Sequence, residues 1–190
     1  MSWTKMSEIL VLYKSKYGSS KQCAEWLASE LGADIFESSS PDAGAFEKYS
    51  TIVHCSGIYR SSINGLKVLL KNPVALKGKK IAIVACGFSG QDNKEYFEKV
   101  KGDLYQSDLY KKLPQEQKEN VQLFLLRGGI NYSTLSLGDK AMLKMVEKIL
   151  RAKKSETLTA EDRQILEVLG KDTRFSIDRA SIESIINYCK

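Results

Sequence analysis

The polar segment at residues 15–20 lies between an apolar stretch and a segment with helical spacing. Ser15, Ser19 and Ser20 place three hydroxyl groups within this segment, and Gly18 lets the backbone turn tightly beside a ligand. The first turn of a helix has unpaired N–H groups and the positive end of the helix dipole, so it attracts phosphate. The segment therefore predicts a phosphate-binding loop, and a serine that merely caps the helix is the alternative.

The loop lacks two known phosphate-binding patterns, and their absence limits the type of phosphate ligand. It has no GxxxxGKS/T segment, which binds nucleoside triphosphates, and no GxGxxG segment, which binds dinucleotides. Lys16 and Tyr17 fill the remaining positions of the loop. These features favour a mononucleotide whose phosphate is held by hydroxyl and amide groups.

A second polar loop follows the apolar run at residues 51–55. Gly57 can bring a backbone amide or carbonyl close to a ligand, and Tyr59 can stack on a flat ring. Arg60 can stabilise negative charge or pair with an acidic substrate group. A partly exposed tyrosine and a solvated arginine are the alternatives that the sequence leaves open. The candidate ligand-binding residues of this loop are Ser56, Gly57, Ile58, Tyr59 and Arg60.

Two further loops follow the apolar runs at residues 81–86 and 121–126. In the first, an aromatic side chain between glycines can flank a ring, and the candidates are Gly87, Phe88, Ser89 and Gly90. Tyr96 can flank the ring as well, although its spacing also suits packing on the sheet. In the second loop, Arg127 and Tyr132 are candidates for the substrate side, because a guanidinium can bind a carboxylate in bidentate fashion. A simple link into the last helix is the alternative.

The elements that must position these loops alternate between strand and helix patterns. Continuous apolar runs predict five strands, at residues 9–13, 33–36, 51–55, 81–86 and 121–126. Helical spacing predicts helices at residues 19–31, 63–71 and 135–153, a helix after the fourth strand extended by residues 101–120, and two short helices near Thr159 and Ile177. Continuous apolar strands indicate burial on both faces, and alternation with helices indicates parallel pairing. We therefore predict a three-layer, doubly wound α/β sheet that binds ligands at the carboxyl ends of its strands.

Length and composition suit one globular domain. The chain has 190 residues, of which 43% are hydrophobic, enough for a substantial core. We expect residues 1–154 to form the ligand-binding domain and residues 155–190 to form a helical extension packed on it. The apolar runs fall well short of the ~20 residues that span a bilayer, and the N-terminal segment lacks a secretory pattern, so we expect a cytoplasmic protein.

The charge balance indicates which partners suit the surface. Lys and Arg number 29 against 23 Asp and Glu, a formal net charge of +6. A basic surface suits anionic substrates, acidic proteins or an anionic membrane face, or it serves solubility alone. We predict no nucleic-acid partner. The four cysteines form no CxxC pair and are expected to be reduced and mostly buried, and His54 is the only histidine, which argues against a zinc site.

The loop at residues 15–20 resembles the phosphate loop of the flavodoxin family, which follows the first strand and has small hydroxyl residues around a glycine. The serines and the glycine match family positions, whereas Tyr17 stands where the family has a small hydroxyl residue. Residues 12–28 and 125–133 are more narrowly similar to the flavodoxin-domain group that includes menaquinone-dependent protoporphyrinogen oxidase. The resemblance covers roughly residues 7–153.

The resemblance implies a flavodoxin-like sheet with strand order 2-1-3-4-5 and one non-covalently bound FMN. The phosphate would lie on residues 15–20, and the isoalloxazine ring would lie between the loops after the third and fourth strands. The implied cofactor-binding residues are Ser15, Lys16, Tyr17, Gly18, Ser19, Ser20, Ser56, Gly57, Ile58, Tyr59, Arg60, Gly87, Phe88, Ser89, Gly90 and Tyr96, and the substrate-side candidates are Arg60, Arg127 and Tyr132.

Three functions are compatible with these features. The first is an FMN-dependent oxidoreductase similar to the protoporphyrinogen oxidase group, which transfers electrons to or from a small anionic or quinone-type substrate or a redox partner protein. The second is an electron-carrier flavodoxin, although carriers tend to be acidic and this chain is basic. The third is a scaffold without FMN, which Tyr17 in the phosphate loop leaves open.

Overall fold

The computed structural model describes residues 7–59, 62–87, 89–129, 132–169 and 179–190. The strands in these ranges are β1 (Ile9–Lys14), β2 (Asp34–Glu37), β3 (Thr51–Tyr59), β4 (Ser62–Ile63), β5 (Lys80–Gly87) and β6 (Val121–Arg127). The α-helices are α1 (Ser19–Leu31), α2 (Lys94–Gln106), α3 (Asp108–Lys112), α4 (Gln115–Lys118), α5 (Leu137–Ala152), α6 (Ala160–Val168) and α7 (Glu183–Cys189). Within the described ranges, no helix is both long enough and apolar enough to cross a membrane.

Five of the strands form a parallel sheet in the order β2-β1-β3-β5-β6. In the register of the central strands, Val11 pairs with Val53 and Val53 pairs with Ala82. Counted along the parallel strands alone, this is the predicted order 2-1-3-4-5, which the structure confirms. The order reverses between β1 and β3, so the loops after these two strands diverge and leave a crevice at their carboxyl ends.

Alternate side chains of each strand enter two separate cores. Leu10 and Leu12 of β1 belong to the core on the α2 side, whereas Val11 belongs to the core on the α1 side. All three side chains are fully buried. Burial on both faces explains why the strands are continuous apolar runs and not alternating ones.

The predicted helix at residues 63–71 is wrong. Ile63 instead pairs antiparallel with Ile58, which makes the two-residue strand β4. Gly65 then adopts a left-handed conformation with φ of 76°, and a 3₁₀ helix follows at Leu66–Leu70. A left-handed residue interrupts helical hydrogen bonding, so the apolar spacing of this segment could not extend into an α-helix. The outcome is a tight return of the chain beside the carboxyl end of β3.

The predicted single extension of the fourth helix is replaced by three helices, α2, α3 and α4. The Ser107 hydroxyl accepts a hydrogen bond from the Tyr110 amide at 3.3 Å and so caps the start of α3. Pro114 stands at the N-cap of α4. A capping serine and a proline both favour a helix start over a helix interior, which is why the continuous helix is divided.

The face of the sheet that α1 covers is completed by α7, close to the end of the chain. Ile182, Ile185 and Cys189 are buried in the same core as Val11. The preceding helices α5 and α6 pack against each other in a third, smaller cluster built on Leu143. The chain therefore leaves the sheet after β6, forms α5 and α6 near the strand ends, and returns to the sheet as α7.

Candidate cofactor-binding site

A cavity of about 170 Å³ lies at the carboxyl ends of β1, β3 and β5. Its floor is made by the loops that follow these strands, and α5 forms an outer wall. The lining residues are Lys14, Ser15, Lys16, Tyr17, Ser19, Ser20, Gly57, Ile58, Tyr59, Asn64, Cys86, Gly87, Gly128, Gly129, Leu135, Asp139, Met142 and Leu143. The cavity therefore lies where the strand order reverses, the position at which such sheets bind ligands.

The loop at residues 15–20 turns at Gly18, which has a φ of 96° and precedes α1. Ser15 accepts a hydrogen bond from the Gly18 amide at 3.0 Å, and Ser19 accepts one from the Gly129 amide at 3.2 Å. Gly18 has no side chain to cap α1, and no side-chain cap is formed. The N–H groups of the first turn thus lack a side-chain acceptor beside the cavity, and an anion can take that role.

Asp139 is a buried carboxylate on the wall opposite this loop, with 4% of its surface exposed. It accepts hydrogen bonds from the Lys16 ammonium at 2.6 Å, from the Tyr17 phenol, and from the Tyr59 phenol at 2.8 Å. Ser136, the N-cap of α5, donates to the same carboxylate at 2.8 Å and accepts from the Asp139 amide at 3.2 Å. One carboxylate thereby connects the phosphate loop, the loop after β3 and the start of α5. We call these five residues the Asp139 cluster.

The Asp139 cluster shifts the ionisation of its members. The hydrogen bonds from Lys16 and Tyr17 hold the pKa of Asp139 well below its usual range, and they outweigh the effect of burial. The same bond to Asp139 raises the pKa of Lys16. Burial, followed by the bond to Asp139, raises the pKa of the Tyr17 phenol. The cluster therefore contains an ionised carboxylate, an ammonium and a protonated phenol of Tyr17 at neutral pH.

Tyr17 does not fill the bend of the phosphate loop. Its phenol points to Asp139, and its ring packs with the third cluster, which includes Leu135 and Leu143. Tyr17, the residue that departs from the family pattern, therefore links the loop to α5 through Asp139. Ser15, Ser19 and Ser20 line the cavity.

The carboxyl end of β3, which was predicted from the sequence as a loop, brings Gly57, Ile58 and Tyr59 to the cavity. The Lys16 ammonium lies 4.6 Å from the centre of the Tyr59 ring, close enough for a cation–π contact. Gly57 lies close to α1, because a Cβ built on it would be 3.8 Å from the Ser20 hydroxyl. Ser56 does not line the cavity. It is fully buried, and its hydroxyl has no hydrogen-bond partner among the described residues.

The carboxyl end of β5 contributes Gly87 to the cavity, and a side chain at this position would be crowded. A Cβ on Gly87 would be 2.7 Å from the Tyr96 hydroxyl and 3.0 Å from the Ile58 side chain. Tyr96 is buried in the core on the α2 side, and its hydroxyl lies next to Gly87. Ser89 is buried and accepts a hydrogen bond from the Asn93 side chain at 3.3 Å.

The remaining predicted residues lie elsewhere. Gly90 and Arg127 border a second surface cavity beside the start of α7, not the cavity described above. Tyr132 packs in the third cluster, with the Lys140 ammonium 5.8 Å from its ring centre. Arg60 and Phe88 lie outside the described residues.

Several lining residues were not predicted from the sequence. Cys86, Gly128 and Gly129 lie within or next to the predicted loops, and the pattern of strand ends was sufficient to find these three, whereas Asn64 lies in the segment predicted as a helix. Asp139 carried only the signal of a helix start, in which a serine precedes an acidic residue by three positions. Nothing in the sequence pairs it with Lys16, which is 123 positions away.

The fold and the site together define a doubly wound α/β protein with a nucleotide cavity at its switch point. The family model described as "Flavodoxin domain" matches residues 10–157, and the chain belongs to this family. A search of curated proteins finds no significant match.

Similar solved structures include a flavodoxin, WrbA-like protein from Agrobacterium tumefaciens, with 13% identity, coverage of 97% of this chain and 99% of that one, and a TM-score of 0.43. Flavodoxin 2 from Bacillus cereus has 19% identity, coverage of 63% and 85%, and a TM-score of 0.40. A Streptococcus pneumoniae flavodoxin has 16% identity, coverage of 59% and 90%, and a TM-score of 0.37. Similarity at this level adds no functional argument to the family assignment.

Membership of the flavodoxin-domain family implies FMN as the cofactor. The residues fit this group: the uncapped start of α1 and the hydroxyls of Ser15, Ser19 and Ser20 suit a phosphate, and Gly57 and Gly87 leave the strand ends open. When bound, FMN supplies one- and two-electron redox chemistry.

Proposed function

We propose that this flavodoxin-domain protein is an FMN-dependent oxidoreductase that exchanges electrons with a small anionic substrate at the cavity wall formed by α5. The observation that carries the proposal is the Asp139 cluster, which places oriented polar groups beside the nucleotide cavity. The similarity of residues 12–28 and 125–133 to the protoporphyrinogen oxidase group supports an anionic tetrapyrrole as the first substrate class to test.

Each residue of the wall has a binding role in this proposal. Lys16 lines the cavity with about half of its side chain exposed, and its ammonium, which is paired with Asp139 at 2.6 Å, has further N–H donors for an anionic group. Tyr59 lines the cavity, and Asp139 fixes its phenol by the 2.8 Å hydrogen bond. Because Asp139 stays ionised, it orients Lys16 and Tyr59 and does not itself hold a transferable proton at neutral pH.

The apolar part of the same wall suits the body of a small molecule. Leu135, Met142 and Leu143 line the cavity, and Leu135 and Leu143 are buried. A ligand pocket combines such apolar walls with a few oriented polar groups. A wall of this kind also excludes water from the position at which substrate and cofactor meet.

Anaerobic stopped-flow reduction of the FMN-loaded protein by protoporphyrinogen tests the proposal. We expect fast reduction that saturates with substrate concentration. Tyr59→Phe removes the hydroxyl that Asp139 holds beside the cavity, so the ring is no longer fixed there and the concentration for half-maximal rate should rise by up to about tenfold. Tyr105→Phe, on the exposed surface of α2, is the matched control and should behave as wild type. If the small molecule reduces the protein slowly and only a protein reductase reduces it fast, the protein is an electron carrier and the proposal is wrong.

A further inference from the structure

Helix α5 carries an exposed apolar stripe. Among the described residues five large hydrophobic side chains are exposed, and three of them are Leu137, Met145 and Ile149 of α5. Their exposed fractions are 86%, 66% and 51%. At about 100° of rotation per residue they lie within about 120° of the helix circumference, so they form one surface. We call this surface the α5 stripe.

The α5 stripe belongs to a helix whose inward side is already filled. Asp139, Leu143 and Leu150 are the buried positions of α5. The apolar residues of α5 therefore extend beyond the side of the helix that packs against the rest of the protein. Soluble proteins expose single hydrophobic residues commonly, whereas three strongly exposed ones on one side of one helix indicate an interaction surface.

Two lysines accompany the α5 stripe, because at 100° per residue Lys148 lies between Leu137 and Met145 and Lys144 lies at the edge of the stripe. Lys144 and Lys148 are exposed and form no ion pair with any described residue. The nearby Glu147 is paired with Arg151 at 2.9 Å, so it does not neutralise these lysines. An apolar row beside lysines is typical of helices that lie in the plane of a membrane surface, with leucine-type side chains inserted and lysines near anionic headgroups.

We propose that the α5 stripe docks the protein on an anionic phospholipid membrane. The charge of Lys144 and Lys148 complements anionic headgroups. Three side chains expose a few hundred Å² at most, short of the about 800 Å² per partner that a stable protein interface buries, so a second copy or a protein partner fits less well. Insertion into a lipid surface needs only a few apolar side chains.

Docking through α5 leaves the cofactor cavity on the side of the helix that faces away from the membrane. Asp139, Met142 and Leu143 of the same helix line the cavity. The helix thus has the cavity on one side and the α5 stripe on another. This proposal concerns membrane binding alone, so its test is independent of the redox proposal above.

Co-sedimentation with phosphatidylcholine vesicles, with and without phosphatidylglycerol, tests the docking. The protein of residues 1–190 should bind the phosphatidylglycerol vesicles, and binding should weaken as salt screens the lysines. The triple variant L137S/M145S/I149S should lower the partition coefficient more than tenfold, and K144E/K148E at least tenfold, because each lysine near an anionic surface contributes about fivefold.

Two control variants separate docking from general changes of surface. Val74→Ser changes a hydrophobic side chain that is 82% exposed, and K111E/K112E reverses two exposed charges on α3. Both should bind the vesicles as wild type does. Circular dichroism and thermal melting verify that all variants fold. Equal binding by the triple variant, absence of vesicle binding, or a dimer in solution that the triple variant abolishes would each overturn the proposal.

Discussion

Replacement of Asp139 by asparagine probes the network that joins α5 to the two loops. The carboxylate is 4% exposed and accepts side-chain hydrogen bonds from Lys16, Tyr17, Tyr59 and Ser136. Asparagine keeps the size of the side chain but removes the charge, and its amide group faces donors. The variant loses several hydrogen bonds to a charged group and the ion pair with Lys16. Because Lys16 is half exposed, the ion pair contributes little, and we expect a total destabilisation of about 2–4 kcal/mol at pH 7.

The pH dependence of this difference has a defined sign. The folded-state pKa of Asp139 lies below its ordinary value of about 3.9, so the stabilisation is complete above that value and is lost as the pH falls through the lower folded-state pKa. The difference between wild type and Asp139→Asn should therefore be constant from pH 8 to about pH 5 and shrink at lower pH.

Urea unfolding of the cofactor-free proteins, followed by circular dichroism, measures this difference without a contribution from FMN release. Asp103→Asn is the matched control, because Asp103 is exposed on α2 and should change the free energy of unfolding by less than about 0.5 kcal/mol. A value for Asp139→Asn as small as the value for Asp103→Asn at pH 7 would refute the role assigned to the cluster.

Two further predictions concern the strand ends and the buried histidine. Gly87→Ala should destabilise the protein by about 1–3 kcal/mol, since the new Cβ would be 2.7 Å from the Tyr96 hydroxyl, and Tyr96→Phe should restore part of the loss in urea unfolding. Burial lowers the pKa of His54 to about 4, so the protein should lose about 2 kcal/mol of unfolding free energy from pH 7.5 to pH 5 as the unfolded state takes up a proton. Because His54 is the only histidine, His54→Asn should abolish most of this slope. A variant that keeps the slope would contradict the assignment, as would a Gly87→Ala protein of wild-type stability.

The sheet could be predicted from the sequence because each parallel strand is a continuous apolar run followed by a turn. The bounds predicted for α1 are those of the structure, and the bounds predicted for the five parallel strands agree with the structure within four residues. The segment at residues 63–71 was predicted wrongly because Leu66, Leu69 and Leu70 have helical spacing, whereas Gly65 and the pairing of Ile63 depend on contacts with β3.

The placement of the last helices required tertiary information. α5 and α7 both have apolar residues at helical spacing, and their sequences do not show which of them covers the sheet. Ile182 and Ile185 of the C-terminal segment are buried against α1 and β5, while Met145 and Ile149 of α5 remain exposed. The competition between two amphipathic helices for one face is decided by packing, which local pattern does not contain.

The candidate site divides in the same way. The serines and glycines next to strand ends were predictable, because a parallel sheet brings its carboxyl ends together. Asp139 was not, because it reaches the site through α5 and meets Lys16 only in the folded chain. Arg127 borders the second cavity because it ends β6, an edge strand, and Gly90 lies beside Arg127.

The most direct test of the account compares the affinity of the cofactor-free protein for FMN and for riboflavin, which lacks the phosphate, by fluorescence titration. If the loop at residues 15–20 holds the phosphate, FMN should bind at least about a hundredfold more tightly, and Ser20→Ala should weaken FMN about tenfold without changing riboflavin, since one charge-assisted hydrogen bond is lost. Equal affinities for the two flavins, or a Ser20→Ala variant with unchanged preference, would contradict the assignment of this loop.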